Sequence, residues 1–436
     1  MFEQAELERL DPAGLGWAAR LPADDPGADQ PRADQSGADQ LRADQSGADL
    51  PSFDRVVVII ASSRSGSSYL FDLLRRTGAF LSLPGEHTPL YRRYRVPALG
   101  SDANDARFRH ALRSTVTTGL PVTDAGPDRR ADQIVRTLRM QWGFPLSGAE
   151  RLAEAALPRT ASDPLIDLCL VLGALRRAGV PINPWYYDLP PALVRRWFPG
   201  LPRPSGPPSR LALLESSPLL VPRLERPAVG AELGRPLLLK ATADAYRVSS
   251  LLRIFADAEL EFVQLTRNPA ASINGLIDGW LSPAFFSHRL PGRPLRIPGY
   301  STEQPWTQTW WNFDLPPHWP DLVASPLAQV CRDQWRAAQS AIRQSLQAHR
   351  LRPMRVRVEQ LWDHRTADGQ LHRILEQLRL RARCWPRSRV VMATSQPVPA
   401  RWRHRQHRIL PLLTDSETAE LARWCGYPLD GMGNWT

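Results

Sequence analysis

A single lysine, Lys240, stands among 55 basic residues, and the 436-residue chain holds only four cysteines. Cys169, Cys331, Cys384 and Cys425 lie far apart, with no C-x-x-C pair and no metal-ligand spacing, so no metal is expected. They read as core thiols of a reducing compartment, and a cytoplasmic location is the expectation. No uninterrupted apolar run is long enough to cross a bilayer, and no segment shaped like a signal peptide opens the chain. Also missing is a compact basic run interleaved with aromatics, so nucleic acid is not an expected partner. What the chain does have is 43% hydrophobic residues and 15 tryptophans, which exclude wholesale disorder. The net charge of +11 suits an anionic ligand, and the length suffices for one large α/β core or two moderate ones.

The first fifty residues stand apart. Gly27-Ala-Asp-Gln-Pro-Arg-Ala-Asp-Gln-Ser36 recurs from Gly37 to Ser46 and begins again at Gly47. The repeat is too polar to bury a core and far shorter than a solenoid unit, so residues 1–52 are expected to form a disordered leader. The remaining residues, 53–436, are expected to make one domain. Helical patterns at Ala131–Met140 and Pro164–Ala178, broken by proline-rich loops near Pro199–Pro208, predict a mostly helical insertion or cap over about 95–235.

Arg55-Val-Val-Val-Ile-Ile-Ala61 is an apolar, β-branched run that breaks into Ser62-Ser-Arg-Ser-Gly-Ser-Ser68, after which Leu70, Leu73, Leu74 and Thr77 keep helical spacing. That is a buried parallel strand feeding a helix through a tight turn. Such a turn aims backbone N–H groups and the positive end of a helix dipole at one point, the geometry that holds a phosphate. Arg64 adds a forked cation, and Ser65, Ser67 and Ser68 add hydroxyl donors around Gly66. A nucleoside-triphosphatase loop needs glycine where Ala61 stands and lysine where Ser67 stands, so that chemistry is weakened at two diagnostic positions.

Leu260–Thr266 reads as a second buried strand, ended by Arg267-Asn-Pro269. Ala270–Trp280 reads as a helix opened by proline in its first turn. Leu237-Leu-Leu-Lys240 is a short strand ending in the lone lysine, a compact charge able to follow a leaving oxygen where guanidinium is a planar fork.

Taken together, Ser63-Arg-Ser-Gly-Ser-Ser68, Leu237-Leu-Leu-Lys240 and the strand ending in Arg267-Asn-Pro269 resemble the donor-binding motifs of sulfotransferases that use 3′-phosphoadenosine 5′-phosphosulfate. The resemblance covers residues 55–77 and most of 235–280. It implies an α/β fold, a parallel sheet flanked by helices of the P-loop-like sulfotransferase type. It implies a 5′-phosphosulfate held by Arg64, Ser65, Gly66, Ser67 and Ser68, and a 3′-phosphate on Arg267. The family carries a serine eight residues after that arginine. Here Gly275 occupies the place, with Ser272 and Asn274 nearby. Lys240 would steady the leaving oxygen, and Arg401 and Arg403, in a passage after Ala393-Thr-Ser-Gln396, would close over the donor's phosphates. Some family members place a catalytic glutamate after the first helix, and Glu86 matches that position. His87, whose ordinary pKa suits a base near neutrality, and Glu215 are the other candidates for deprotonating the acceptor.

Trp306, Trp310, Trp311, Phe313 and Trp319 either anchor an irregular loop or line an apolar acceptor groove. A small-molecule or glycosylated acceptor is the expected partner. Leu327–Leu346 reads as an amphipathic helix, Met354–Glu359 as a strand and Leu371–Leu378 as a helix. Two other functions stay open: a non-catalytic nucleotide-binding protein on a retired sulfotransferase scaffold, which Gly275 favours, and a phosphotransferase with a degenerate loop.

Overall fold

The β-branched run after Arg55 forms β1 (Arg55–Ile60), and its alternation feeds two cores at once. Val56, Val58 and Ile60 face one side of the sheet, Val57 and Ile59 the other, and all five are buried. The computed structural model describes residues 53–83, 86–87, 131, 134, 149–159, 164–179, 183–186, 189, 191–202, 234–282, 288–290, 294–304, 307–308, 310–363, 365–387, 394 and 398–435. The expected leader at 1–52, Glu215, Pro305, Trp306 and most of the expected insertion lie outside these residues.

After β1 come helix α1 (Ser67–Arg76) and β2 (Leu81–Ser82). Helices α2 (Ala149–Ala156), α3 (Pro164–Arg177) and α4 (Pro191–Trp197) follow in the next described stretch. Then come β3 (Leu237–Lys240), α5 (Val248–Ile254), β4 (Glu259–Thr266) and α6 (Pro269–Trp280). A small antiparallel pair, β5 (His288–Arg289) with β6 (Trp310–Trp311), precedes the 22-residue α7 (Leu327–Ala348). Last are β7 (Met354–Arg357), α8 (Ala367–Gln377) and α9 (Ser416–Trp424).

The fold is α/β. Five strands pair in parallel in the order β2-β3-β1-β4-β7, with Val56 opposite both Leu237 and Leu260. Side chains from α1 and α8 cover the Val57 face of the sheet, and α5 and the second half of α7 cover the other. Helices on both faces explain why β1 and β3 read as continuous apolar runs. The expected strand at Met354–Glu359 stops earlier, at Arg357. The Val358 N–H still reaches the Thr266 carbonyl at 2.9 Å, and the chain then turns into a helical turn at Glu359–Trp362.

A separate core joins Ala131, Ile134, Leu168, Leu172, Val194 and Phe198, and Trp310 packs into it. Trp311 stands edge-on to Trp280 (centroids 5.1 Å apart), which stands edge-on to Tyr300 at 4.8 Å. Trp310, Trp311 and Phe313 are buried, and the Trp311 indole donates to the Asp314 carbonyl at 3.0 Å. These rings anchor the loop, so the alternative of an acceptor groove made from them is set aside. Of the cysteines, Cys169, Cys331 and Cys425 are buried, but Cys384 is exposed, a correction to the expectation of four core thiols. No described helix is long and apolar enough to cross a membrane.

Candidate active site

Where β1 ends, the chain must turn sharply into α1, and Gly66 makes this possible. Its φ of 91° is open to glycine, and a Cβ there would sit 2.6 Å from Val358 Cγ2. Gly66 is the N-cap of α1 and offers no side chain to it; the Tyr69 and Leu70 N–H groups bond to its carbonyl. Among the described residues, the N–H groups of Gly66, Ser67 and Ser68 have no protein acceptor. They stand at the positive end of a ten-residue helix, an arrangement suited to an anion.

The rest of the loop is held from outside. Ser62 Oγ accepts from Gln339 at 3.2 Å, and Ser63 Oγ donates to Asp314 Oδ1 at 2.8 Å. Asp314 Oδ2 in turn accepts from the Tyr246 hydroxyl at 2.6 Å, and burial, with Asp314 adding, pushes that phenol well above its usual range. The Ser65 hydroxyl donates to the Ser62 carbonyl at 2.5 Å in a fully buried position. In this arrangement the Ser65 oxygen fastens the turn.

Lys240 ends β3 beside this loop. Its ammonium donates to Ser68 Oγ at 3.1 Å and forms an ion pair with Glu86, both partners almost fully buried. The next residue, His87, is buried too, and its Nε2 lies 3.1 Å from Asp244 Oδ1. Asp244 Oδ2 accepts from the Ala241 N–H at 2.9 Å, so the carboxylate that orients His87 is fixed by the turn following Lys240. Glu86, His87, Lys240 and Ser68 are therefore brought together, though Glu86 and Lys240 are separated by 154 positions in sequence.

Arg64 lies at φ 63° and does not stand alone over the loop. Its guanidinium turns toward α6, donating to the Gly275 carbonyl at 3.3 Å and to Thr394 Oγ1 at 3.2 Å. Thr394 is the described residue of the Ala393-Thr-Ser-Gln396 stretch. Arg267 donates to the Arg64 carbonyl at 2.9 Å and lies over the Trp362 ring at 4.8 Å. Burial lowers both arginines to about 10. The Arg267 charge adds to the effect on Arg64, and Glu359 opposes it at Arg267. Both remain cations at neutral pH. Gly275 fits between them: a Cβ would lie 3.3 Å from Arg267 Nη1 and 3.4 Å from Arg64 Cβ. The glycine thus stands where a side chain would press on both arginines.

The start of α6 is built to present Arg267. Asn268 caps the helix by accepting from the Ala271 N–H at 2.7 Å, and Pro269 follows. Glu359 accepts from the Asn268 N–H at 2.9 Å and from the Tyr427 hydroxyl at 2.6 Å. Within this frame, Arg267 Nε and Ser272 Oγ are buried with no hydrogen-bond partner among the described residues.

One turn further along α6, Asp278 gathers two more arginines. It pairs with Arg401 and, at 2.6 Å, with Arg405, which also donates to Asn274 Oδ1 at 2.7 Å. Burial would raise Asp278, but the bonds from Arg401 and Arg405 outweigh it and hold the carboxyl below its usual range. Arg403 is exposed, with its guanidinium 5.1 Å from the Trp402 ring, and it is Arg405 rather than Arg403 that shares Asp278 with Arg401. Sequence reading missed Arg405, Asp278, Asp244, Asp314 and Trp362. Only Asp278 left a usable signal, four residues after Asn274 on the same helix face.

No family model and no curated protein matches the chain. Among solved structures, it is similar to the sulfotransferase domain from the curacin biosynthetic pathway, at 14% identity and TM-score 0.35, over 86% of this chain and 98% of that one. It is also similar to the sulfotransferase domain from the Synechococcus PCC 7002 olefin synthase, at 14% identity and TM-score 0.34, over 87% and 98% of the two chains.

Proposed function

We propose that the chain is a transferase that moves a sulfuryl group from 3′-phosphoadenosine 5′-phosphosulfate to a hydroxyl or amine of a small-molecule acceptor. The observation that carries this reading is the arginine pair at Gly275. Arg64 and Arg267 are kept side by side against their mutual repulsion, with Arg267 Nε, and Ser272 Oγ on the following helix, buried without a hydrogen-bond partner among the described residues. Such a pocket fits a phosphate with two negative charges. The loop at Gly66–Ser68 and Lys240 fits a second anionic group. A nucleotide bearing phosphates at both ends of its ribose matches two such pockets better than a single triphosphate chain does.

Bound there, the donor would supply an activated sulfuryl group joined to phosphate through one bridging oxygen. Lys240 would turn from Glu86 toward that oxygen and offset the charge gathering on it as the S–O bond breaks. The same movement strips Glu86 of its counter-ion, leaving the carboxylate ready to take the proton of the acceptor hydroxyl while the new S–O bond forms. His87, fixed by Asp244, would position Glu86 or share the proton. The acceptor surface belongs to groups other than Trp310, Trp311 and Phe313, which are buried.

Calorimetric titration with 3′-phosphoadenosine 5′-phosphate, beside ADP with magnesium, tests the reading. The 3′-phosphorylated nucleotide should bind the wild type, and Arg267→Ala should weaken it by at least 30-fold, about 2 kcal/mol for a lost charge-assisted contact. Binding of magnesium-ADP alone would overturn the proposal in favour of a phosphotransferase.

A further inference from the structure

The last turn of α7, the segment leading into β7, and Trp424 of α9 enclose a groove of about 420 Å³, within the size range of small-ligand sites. It lies by the N-terminal end of β7, whereas the Gly66 loop follows the opposite end of β1. Arg343, Arg350, Arg352 and Arg355 line it, and no acidic side chain does. Two of these cations are occupied. Arg343 pairs with Glu420 at 2.6 Å. Arg355 donates to the Trp424 carbonyl at 2.7 Å and lies over the Trp424 ring at 4.9 Å. Arg350 and Arg352 are exposed and have neither a hydrogen-bond acceptor nor an ion-pair partner for their side chains among the described residues.

Arg350 is also held in a costly backbone conformation. Its φ is 53°, just past the end of α7, where its N–H bonds the Gln347 carbonyl at 3.1 Å and the Leu351 N–H bonds the Leu346 carbonyl at 2.8 Å. Helices that close this way favour glycine at that position. Helix α8 closes alike at Arg379 (φ 55°), but there the guanidinium is matched by Glu259 and Glu261. At Arg350 the same conformation presents a cation that no carboxylate among the described residues meets. A helix C-terminus accounts for a cation in its last turn, but not for four guanidiniums converging on one groove from three elements.

We infer that this groove is a second anion site, distinct from the one at Arg64 and Arg267, and that it takes a small polyanion bearing two or more phosphate groups. Planar guanidinium forks bind phosphate oxygens in pairs, and the two forks without a protein partner among the described residues, Arg350 and Arg352, reinforced by the nearby charges of Arg343 and Arg355, suit more than one phosphate group. The inference does not depend on the proposed sulfuryl transfer.

The test is calorimetry of the full chain with sodium tripolyphosphate at constant ionic strength, on wild type, on Arg267→Ala, and on the double variant Arg350→Gly with Arg352→Gln. Glycine suits the left-handed helix end, so a thermal melt should show the double variant folded with an undiminished Tm. Tripolyphosphate should bind wild type and Arg267→Ala at a shared site that the double variant weakens at least tenfold. Equal affinity in the double variant, or binding that Arg267→Ala abolishes entirely, would overturn the inference, as would no binding to the wild type.

Discussion

Gly275 and Gly279 are one helical turn apart on α6, yet a methyl group added at each would meet different neighbours. At Gly279 it would collide with the Phe313 ring, and Phe313 is itself buried at φ 62°. Gly279→Ala should therefore destabilise the fold by about 1–3 kcal/mol, read from a denaturant melt, despite alanine's better helix propensity. At Gly275 the contacts are 3.3 and 3.4 Å to arginine side chains that can give slightly. Gly275→Ala should leave the melt unchanged or raise it, while weakening 3′-phosphoadenosine 5′-phosphate several-fold by displacing Arg267. Equal melting behaviour in the two variants would contradict this division. The sequence shows a glycine where a serine was expected, and from composition alone that looks like a lost contact. Only the approach of Arg64, more than two hundred residues away, makes it a packing choice. Lys240 and Glu86 were each singled out from the sequence, Lys240 as the lone lysine at a strand end and Glu86 from its place after the first helix, but their ion pair was not foreseen. Asp244 and Arg405 were not singled out, since no spacing rule connects them to His87 or Asn274.

At the level of elements, the sequence was most informative where local chemistry and burial agree. The β1–loop–α1 unit, β3 and β4–α6 appear within a residue or two of their expected bounds, because β-branched runs end in polar turns and Pro269 marks a helix start. The order β2-β3-β1-β4-β7 was not legible, because it follows from which helices cross which face of the sheet. The expected strand through Glu359 also ended early, and Glu359, in the helical turn that follows, receives the Asn268 N–H. The junction of β4 and α6 thus depends on two reciprocal caps. Asn268→Ala removes one and should cost about 1 kcal/mol in stability. Because Arg267 immediately precedes the cap, the same variant should lose affinity for 3′-phosphoadenosine 5′-phosphate, measured by titration, by more than its stability loss explains. An unchanged affinity would separate the helix start from the site.

For the whole molecule, the chain carries a net charge of +11, and Arg64, Lys240 and Arg267 stand at the candidate site. A field of one sign speeds the arrival of an anionic ligand and is screened by salt. Arg64 and Arg267 are lowered to about 10, so nucleotide affinity should stay level through the neutral range and fall as pH rises through about 10. Their contribution to stability has the opposite sign. Between about 10 and the higher pKa of an ordinary guanidinium, the unfolded chain holds more protons on these two groups than the folded one, so their burial becomes less costly as pH rises. Titrations and melts run in parallel from pH 7 to 11 would show the two trends diverge, most clearly as differences from Arg267→Ala. A loss of affinity already complete by pH 9 would place the controlling group elsewhere.

The solitary lysine has a practical consequence. An amine-directed reagent applied to this chain meets one side-chain amine, and that amine is enclosed beside Glu86 and Ser68. Reductive methylation with isotopic formaldehyde would therefore place a single side-chain label inside the candidate site, leaving every arginine untouched. Its resonance would report the departure of Lys240 from Glu86 without any substitution in the chain.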